Sequence, residues 1–514
     1  MSPGRTVPRA IRNVLANWTG YVVGLVVTFL LSPLVVNHLG PSAYGVWTLL
    51  VVLTSYLGLL DLGVRSAVTR YVARCESQGD HATTARIVST ALAIFTTTAG
   101  FALAASTMLG LAAPSVFHIP AEHRTTAVIV ATLAGASTGV ALVNGAFGGV
   151  LVGLQRFDLV CAADVVAVLV RGALVLGVIA YGGGLVELAS AQLLASLVGV
   201  LFTAWMGVRS YPGLRLRPAW SRPHLRLIVS YGGSVFVAHL AGSIIDRAGV
   251  IVLGAFLPMT AVTVFAIASG LIDYARALAG GIRTTLAPRA SALEGRGRQD
   301  ALRALTLQGA RYCTLLVLPI AATLALRGSS FIGLWMGAEY GGPAGAVLAV
   351  LAVRLVFLGA TGAAASVMLG ASRERAVTAL LVAEAALNVA TMLLLVRPFG
   401  SLGVAWGTTV PTVAAALFVW PWLLRKSLGL GVGPYLVASW GLPVAAQLPF
   451  IGATWLVEQL WPASSLLTFF GQVAMLMPVA LLGLWYVGLT AADRRAWVDV
   501  VRAWRSPMDH PAIE

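Results

Sequence analysis

The chain has 514 residues, of which 58% are hydrophobic and only 10% charged, and its formal net charge is +15. A water-soluble protein carries about a quarter charged residues, so this composition excludes an ordinary soluble domain and indicates a membrane protein. The positive charge would suit a nucleic-acid-binding surface only if the basic residues shared a soluble face, and here they lie in short segments between apolar stretches.

Apolar stretches of roughly 20 residues or more follow one another along the whole chain. Hydrocarbon about 30 Å thick is crossed by roughly 20 helical residues. The strands of a β-barrel would alternate apolar and polar residues, which runs such as 160–180 do not. The sequence therefore predicts an all-α, polytopic membrane protein with 14 spans. The predicted spans are 14–36, 44–62, 87–112, 125–152, 159–181, 185–208, 229–256, 260–282, 304–326, 344–370, 376–396, 403–424, 436–461 and 465–490.

Basic residues in the predicted loops are distributed unevenly between the two sides of the membrane. If the N-terminus is inside, the loops and termini on the cytoplasmic side hold 26 of the 34 Lys and Arg residues, whereas the other side holds only Arg124, Arg327 and Arg397. Cytoplasmic loops of membrane proteins carry an excess of Lys and Arg. We therefore expect an inner-membrane protein with both termini cytoplasmic. The longest outer loops would be 113–124 and 327–343.

Two pairs of similar tracts indicate an internal repeat. Pro41 and Pro258 precede the second and eighth spans and differ by 217 positions, as do Gly153 and Gly370 at the cytoplasmic ends of the fourth and tenth. Six spans separate the copies, so both would enter the membrane in the same direction, related by an axis along the membrane normal. The sequence therefore predicts two six-helix lobes, at residues 1–208 and 229–424, which are joined by a basic linker at 209–228. Two further helices at 425–490 and a cytoplasmic tail at 491–514 follow.

Several short motifs are similar to one family of membrane proteins. LGPSAYGVW at 39–47, LDLG at 60–63 and GLQRFD at 153–158 resemble patterns of bacterial polysaccharide flippases, as do LWMGAEY at 334–340 and FGSLGVA at 399–405. These flippases are the oligosaccharide and polysaccharide exporters of the multidrug/oligosaccharidyl-lipid/polysaccharide superfamily. The resemblance extends over about residues 10–490. It implies two lobes around a central cavity, alternating access and a lipid-linked oligosaccharide as cargo.

Five arginines lie inside predicted spans, where a charge near the bilayer centre costs about 2.5–3.5 kcal/mol unless it faces protein or water. Arg171, Arg247 and Arg354 are near mid-span, whereas Arg276 and Arg311 are nearer the cytoplasmic side. A guanidinium stays charged when desolvated, and its planar fork binds phosphate oxygens with two donors at once. All five are therefore candidate cargo-binding residues, and we expect the first three to line one water-accessible cavity and bind a diphosphate.

The alternative for each arginine is a structural ion pair with a nearby carboxylate. Asp273, for example, lies three residues before Arg276, on the same face of its helix. The candidate charge partners or ion-coupling residues are Asp61, Asp164, Asp246, Asp273 and Glu384.

The sequence contains no recognisable enzyme motif: it has neither a Walker loop nor HExxH nor a nucleophile elbow, and its three cysteines are scattered. We therefore expect no catalytic residue, metal or cofactor. The predicted function is transfer of a polyprenyl-diphosphate-linked oligosaccharide to the outer leaflet for exopolysaccharide or O-antigen biosynthesis, beside glycosyltransferases and a polymerase. Two alternatives remain open: a cation-coupled antiporter of the multidrug-extrusion branch, and a membrane-embedded polymerase or acyltransferase.

Overall fold

The computed structural model describes residues 6–211, 219–221, 233–491, 493–495 and 499, and it describes the backbone alone for residues 6–19 and 233–235. Most of the predicted basic linker 209–228 and of the predicted tail 491–514 lies outside these residues. The described part of the chain is almost entirely helical and contains no strand, which confirms the predicted fold class.

Fifteen helices follow one another in the described residues, and short 3₁₀ or π-helical turns join some of them. In chain order they are α1 (Thr6–Ser55), α2 (Val64–Gln78), α3 (His81–Val116), α4 (Arg124–Gly153), α5 (Phe157–Ala180), α6 (Leu185–Ser210), α7 (Gly233–Phe256), α8 (Met259–Glu294), α9 (Gln299–Met336), α10 (Ala338–Gly370), α11 (Glu374–Ala414), α12 (Trp420–Leu428), α13 (Val432–Leu436), α14 (Leu442–Leu460) and α15 (Leu466–Gly483).

Twelve helical stretches in the described residues are long and apolar enough to cross a membrane. Two of them, Gly20–Gln78 and Glu374–Leu428, have 59 and 55 residues. Since roughly 20 helical residues cross the hydrocarbon layer, each is long enough to cross twice. Within these stretches, α1 is broken at Gly40, with φ 77°, and α11 at Gly400, with φ 58°, a conformation that glycine adopts without strain. The first stretch is interrupted again before α2, at Leu62 and Gly63, which also have positive φ. The 12 stretches are therefore consistent with 14 spans.

The predicted outer loop 327–343 is wrong. Helix α9 continues to Met336 and α10 begins at Ala338, so only Gly337, with φ 124°, interrupts the helical backbone. The sequence 328–336 is largely apolar, and the charge of Arg327 is neutralised inside the protein by Glu458. Arg327 is therefore a buried helix residue and does not belong to an outer loop.

The repeat spacing appears in the backbone where α4 and α10 end. Gln155 and Ser372, which are 217 positions apart, have φ values of 59° and 58°. The backbone N–H groups of Leu154, Gln155 and Arg156 donate to the carbonyls of Val150, Val152 and Leu151, respectively. The N–H groups of Ala371, Ser372 and Arg373 donate to the carbonyls of Val367, Leu369 and Met368, so every donor and acceptor lies 217 positions after its counterpart. An equivalent pair of turns precedes α3 and α9, with left-handed Gly79 and Gly297 at a spacing of 218. The two turns at each spacing are thus locally equivalent.

The chain forms two compact units. The first consists of residues 1–267 and 378–408, the second of residues 268–377 and 409–514. In the first unit α1 packs along α5, and α4 packs against α3 and α6. The beginning of α8 also meets α1 there: the Thr263 hydroxyl donates to the Pro41 carbonyl at 2.5 Å. These limits differ from the predicted lobes because α7 and the start of α8 pack on α1, and the lobe division stays a prediction.

In the second unit α9 packs along α10 and also contacts α14 and α15, the last two long helices. Their shared core joins Ala322 of α9 to Phe450 of α14 and to Leu476 and Ala480 of α15. The C-terminal helices are thereby attached to α9.

Candidate functional site

Arg171 lies in the second half of α5, half-buried, where that helix packs along α1. Its Nη2 atom donates a hydrogen bond of 3.0 Å to the hydroxyl oxygen of Thr28 on α1. A guanidinium carries five N–H donors in a planar fork, which suits it to bind more than one oxygen atom.

Two adjoining cavities meet at Arg171 within the first unit. Both are also lined by Trp47 of α1 and Gln192 of α6, and their volumes are about 300 and 150 Å³. The larger cavity reaches α4 and has hydroxyl groups on three helices. Its other polar lining residues are Thr54, Ser55, Ser137, Thr138 and Ser196. The smaller cavity is lined by Thr28, Ser32 and Tyr44 in addition.

Several polar groups that line the cavity have no partner in the described residues. Neither the indole N–H of Trp47 nor the side-chain amide of Gln192 makes a hydrogen bond to any of them. The hydroxyl of Ser137 is buried and likewise without a partner there. Because buried polar groups in proteins are nearly always hydrogen-bonded, the buried Ser137 hydroxyl indicates that this cavity is suited to a polar ligand or water.

The electrostatics of the lining are one-sided. Among the described lining residues of both cavities, Arg171 is charged and none is a carboxylate. Arginine remains protonated even when desolvated. The arrangement therefore favours an anion with neutral polar groups attached and disfavours an organic cation.

Arg247 of α7 reaches the same region. Its Nη1 atom donates to the hydroxyl oxygen of Ser55 at 3.2 Å, and Ser55 lines the larger cavity. The adjacent Tyr56 hydroxyl donates to the Ser243 carbonyl of α7 at 3.1 Å. The structure thus brings two of the five predicted arginines, Arg171 and Arg247, to one group of side chains.

Arg354 belongs to the second unit. It is 5% exposed on α10, and its Nε atom donates to the Thr412 hydroxyl at 3.3 Å near the end of α11. A shared cavity for Arg171, Arg247 and Arg354 therefore stays a prediction.

The remaining two arginines each bind a carboxylate, as the alternative interpretation expects. Arg276 pairs with Asp273 at 2.9 Å, on the helix face that their spacing predicts. Arg311 lies 3.6 Å from Asp493, and both side chains are nearly buried. Sequence reasoning missed Asp493 because it is 182 positions from Arg311, beyond the last predicted span.

The other predicted carboxylates are placed as follows. Asp61 accepts the backbone N–H of Arg65 at 3.0 Å, which satisfies a free donor at the start of α2. Asp164, exposed on α5, lies within electrostatic range of Arg65. Asp246 interacts electrostatically with Tyr56 beside Arg247, and Glu384 is buried on α11.

The described residues contain no group of three or more His, Cys, Asp or Glu side chains that could hold a metal ion.

Comparisons with known proteins give a family and a fold. Residues 35–343 match the family described as polysaccharide biosynthesis protein. No match was found among curated proteins.

Among solved structures, the chain is similar to the lipid II flippase MurJ in its inward closed conformation, with a TM-score of 0.73 and 12% identity over 96% of this chain and 100% of that one. It is also similar to an inward-facing multidrug resistance MATE family transporter of the MOP superfamily, with a TM-score of 0.66 and 19% identity over 80% and 98%. A MOP superfamily transporter from Pyrococcus furiosus Vc1, whose binding pocket is described as having reverse polarity, matches with a TM-score of 0.56 and 18% identity over 81% of this chain and 95% of that one. At these identities the similarities establish the fold.

Proposed function

Because the match over residues 35–343 covers more than half of its length, the chain belongs to the polysaccharide biosynthesis protein family, and from this we propose that it transfers a polyprenyl-diphosphate-linked oligosaccharide across the membrane. Transfer runs from the cytoplasmic to the outer leaflet by alternating access. The product supplies cell-surface polysaccharide biosynthesis, such as that of exopolysaccharide or O-antigen.

One observation carries this proposal: a permanent cation, Arg171, lines a cavity whose described lining holds neutral polar groups and no carboxylate. A diphosphate needs several donors at once, and arginine provides them in paired geometry. We propose that Arg171 and Arg247 bind the diphosphate during transfer, with Arg354 as a third cation. The polyprenyl tail remains in the bilayer, since transferring it into a polar cavity would be unfavourable.

The orientation of the protein follows from its loop charges. We propose an inner-membrane location with both termini cytoplasmic, because cations are concentrated in alternate predicted loops. The cargo is then assembled by glycosyltransferases on the cytoplasmic side and used by a polymerase on the other side.

The three function classes predict different outcomes when the gene is deleted in its native host. A flippase deletion should remove surface polysaccharide and accumulate lipid-linked oligosaccharide in the cytoplasmic leaflet, and the wild-type gene should restore both. Accumulation of the same precursor in the outer leaflet would instead indicate a polymerase. Unchanged polysaccharide with increased sensitivity to toxic cations would indicate an antiporter. The measurement is the leaflet distribution of the extracted precursor, determined with a membrane-impermeant label.

A further inference from the structure

We infer that the cavity around Trp47, Gln192 and Arg171 is a sugar-binding subsite, which holds the sugar next to the diphosphate while the cargo crosses. The inference rests on the proposed function and extends it, because it assigns recognition of the saccharide to particular side chains of the first unit.

The side chains that line the cavity without a hydrogen-bond partner match the chemistry of a sugar. A sugar ring has an apolar C–H face and a rim of hydroxyls that both donate and accept hydrogen bonds. Trp47 offers an aromatic face together with an indole donor, and Gln192 offers one acceptor and two donors. Both side chains line the cavity without a hydrogen bond to any described residue. A bound sugar hydroxyl would satisfy them.

The hydroxyl side chains of the larger cavity can still accept hydrogen bonds. Thr54 donates to the Leu50 carbonyl, Thr138 to the Ala134 carbonyl and Ser196 to the Gln192 carbonyl, each within its own helix. A hydroxyl has one donor and two acceptor lone pairs, so each of these oxygens retains the capacity to accept. The cavity therefore combines donors on Trp47 and Gln192 with acceptors on α1, α4 and α6. Sugar hydroxyls need both, because each of them donates and accepts hydrogen bonds.

The position and size of the cavity also suit a sugar that is attached to a diphosphate. Arg171 borders both cavities together with Trp47 and Gln192, so a phosphate held by Arg171 would place its attached sugar beside those two side chains. The larger cavity, about 300 Å³, is at the lower end of the range of roughly 300–1,000 Å³ for ligand sites. Its size suits one or two sugar rings. The rest of an oligosaccharide would have to extend beyond it.

Binding measurements on the full chain in lipid nanodiscs test the inference. The probes are the methyl ester of undecaprenyl diphosphate, which has the same charge as a sugar-bearing lipid, and undecaprenyl diphosphate carrying one glucose, galactose or N-acetylglucosamine. The quantity of interest is the ratio of the two affinities, with and without sugar, in each protein. In the wild type, at least one sugar should raise the affinity about tenfold, as expected for a few added hydrogen bonds and one aromatic contact.

The variants separate the sugar from the diphosphate. Trp47→Ala and Gln192→Leu should each reduce the ratio towards one, and Trp47→Phe, which keeps a ring but removes the indole donor, should have an intermediate ratio. Arg171→Gln should lower the affinity for every probe while the ratio stays above one. Trp205→Ala is the matched control, because Trp205 is 54% exposed on α6 and does not line either cavity, and it should retain the wild-type ratio.

Two outcomes would overturn the inference. A wild-type ratio of one for all three sugars would mean that the cavity holds water only, and an undiminished ratio in both Trp47→Ala and Gln192→Leu would place the sugar elsewhere. If the wild type binds neither the methyl ester nor any sugar-bearing lipid, the proposed function itself fails. The failure of the subsite is thus distinguishable from the failure of the function.

Discussion

Arg327 and Glu458 form an ion pair of 2.7 Å between α9 and α14, and the arginine side chain is completely buried. The guanidinium also donates to Gln472 of α15 and lies 4.6 Å from the centre of the Phe469 ring. Glu458 accepts a further hydrogen bond from Ser330. One buried charge of α9 therefore contacts both C-terminal helices.

Breaking this pair should destabilise the protein more than removing it completely. Glu458→Leu leaves Arg327 buried without a counter-charge, which costs about 3–5 kcal/mol in buried pairs, whereas replacing both charges by apolar residues is often neutral. We expect Glu458→Leu to lower the thermal unfolding midpoint in detergent and the double variant Arg327→Met/Glu458→Leu to recover most of the loss. The control is Asp300→Ala, in a pair with Arg303 where Asp300 is 96% exposed, and it should change stability by less than about 1 kcal/mol. A double variant as unstable as the single one would contradict this account.

Gly45 allows α1 to approach the start of α8 closely. A Cβ atom there would be 2.1 Å from the Met259 carbonyl oxygen, a backbone atom that cannot move aside alone. Gly45→Ala should therefore lower the unfolding midpoint or the yield of folded protein. Gly100→Ala on α3 is the matched control, since nothing lies within 4 Å of its added Cβ, and its higher helix propensity should leave stability equal or higher by up to about 1 kcal/mol. Equal midpoints for the two variants would rule out the close approach.

The pair Arg311–Asp493 predicts a pH dependence. Burial alone would raise the pKa of Asp493, but hydrogen bonds from Thr490 and Tyr312 and the charge of Arg311 bring the pKa below its usual value. A carboxylate with a lowered folded-state pKa stabilises the fold at pH values above its unfolded pKa, about 3.9, and this contribution is lost as the pH falls through the folded-state pKa. The difference in unfolding midpoint between wild type and Asp493→Asn should be constant between about pH 8 and 5 and diminish below about pH 4. A difference that persists unchanged to about pH 3 would argue against it.

The loop charges predict the membrane topology. Reporter fusions after Arg226 and after Arg505 should be active in the cytoplasm, and a fusion after Glu122 should be active outside. A C-terminal reporter that is active outside would require an odd number of spans, which would contradict the predicted two six-helix lobes followed by two further helices.

The sequence predicted the long helices because a membrane helix needs a continuous apolar run, and such runs are visible without any tertiary information. It did not predict that α1 and α11 each continue through two spans with one break, at Gly40 and Gly400. Many residues between the predicted spans are compatible with a helix as well as with a loop. In the structure the helical backbone is interrupted there at a glycine with positive φ. The left-handed turns at Gln155 and Ser372 are 217 positions apart, which is the spacing of the repeat found in the sequence.

Side-chain partners were harder to predict than helices. Arg327 was predicted to lie in a loop. Its partner Glu458 is 131 positions away, and neither local sequence indicates the contact between them. Trp47 was noted only as the last residue of the motif LGPSAYGVW, and Gln192 belonged to no motif, because their common cavity depends on how α1 and α6 pack. Arg171 was found because a charge in an apolar span is conspicuous by itself.

Charge at Arg171 should matter more than hydrogen bonding there. Arg171→Gln keeps hydrogen-bonding groups but removes the charge, so transfer of the lipid-linked oligosaccharide should fall about tenfold or more, as expected for loss of a charge-assisted hydrogen bond. Arg171→Lys should restore part of the rate because it restores charge without the planar fork. Arg124→Gln, which changes an exposed cation at the start of α4, is the control and should transfer at the wild-type rate.

The most direct test is transfer of a fluorescent polyprenyl-diphosphate-linked oligosaccharide in proteoliposomes, with and without an imposed membrane potential. A membrane-impermeant quencher initially reaches only the outer half of the label. With the wild-type protein the quenched fraction should rise towards all of the label, and with Arg171→Gln it should rise much more slowly. If the wild type leaves the inner half protected under both conditions, or if Arg171→Gln transfers as fast as the wild type, the proposed transfer through an arginine-lined cavity is contradicted.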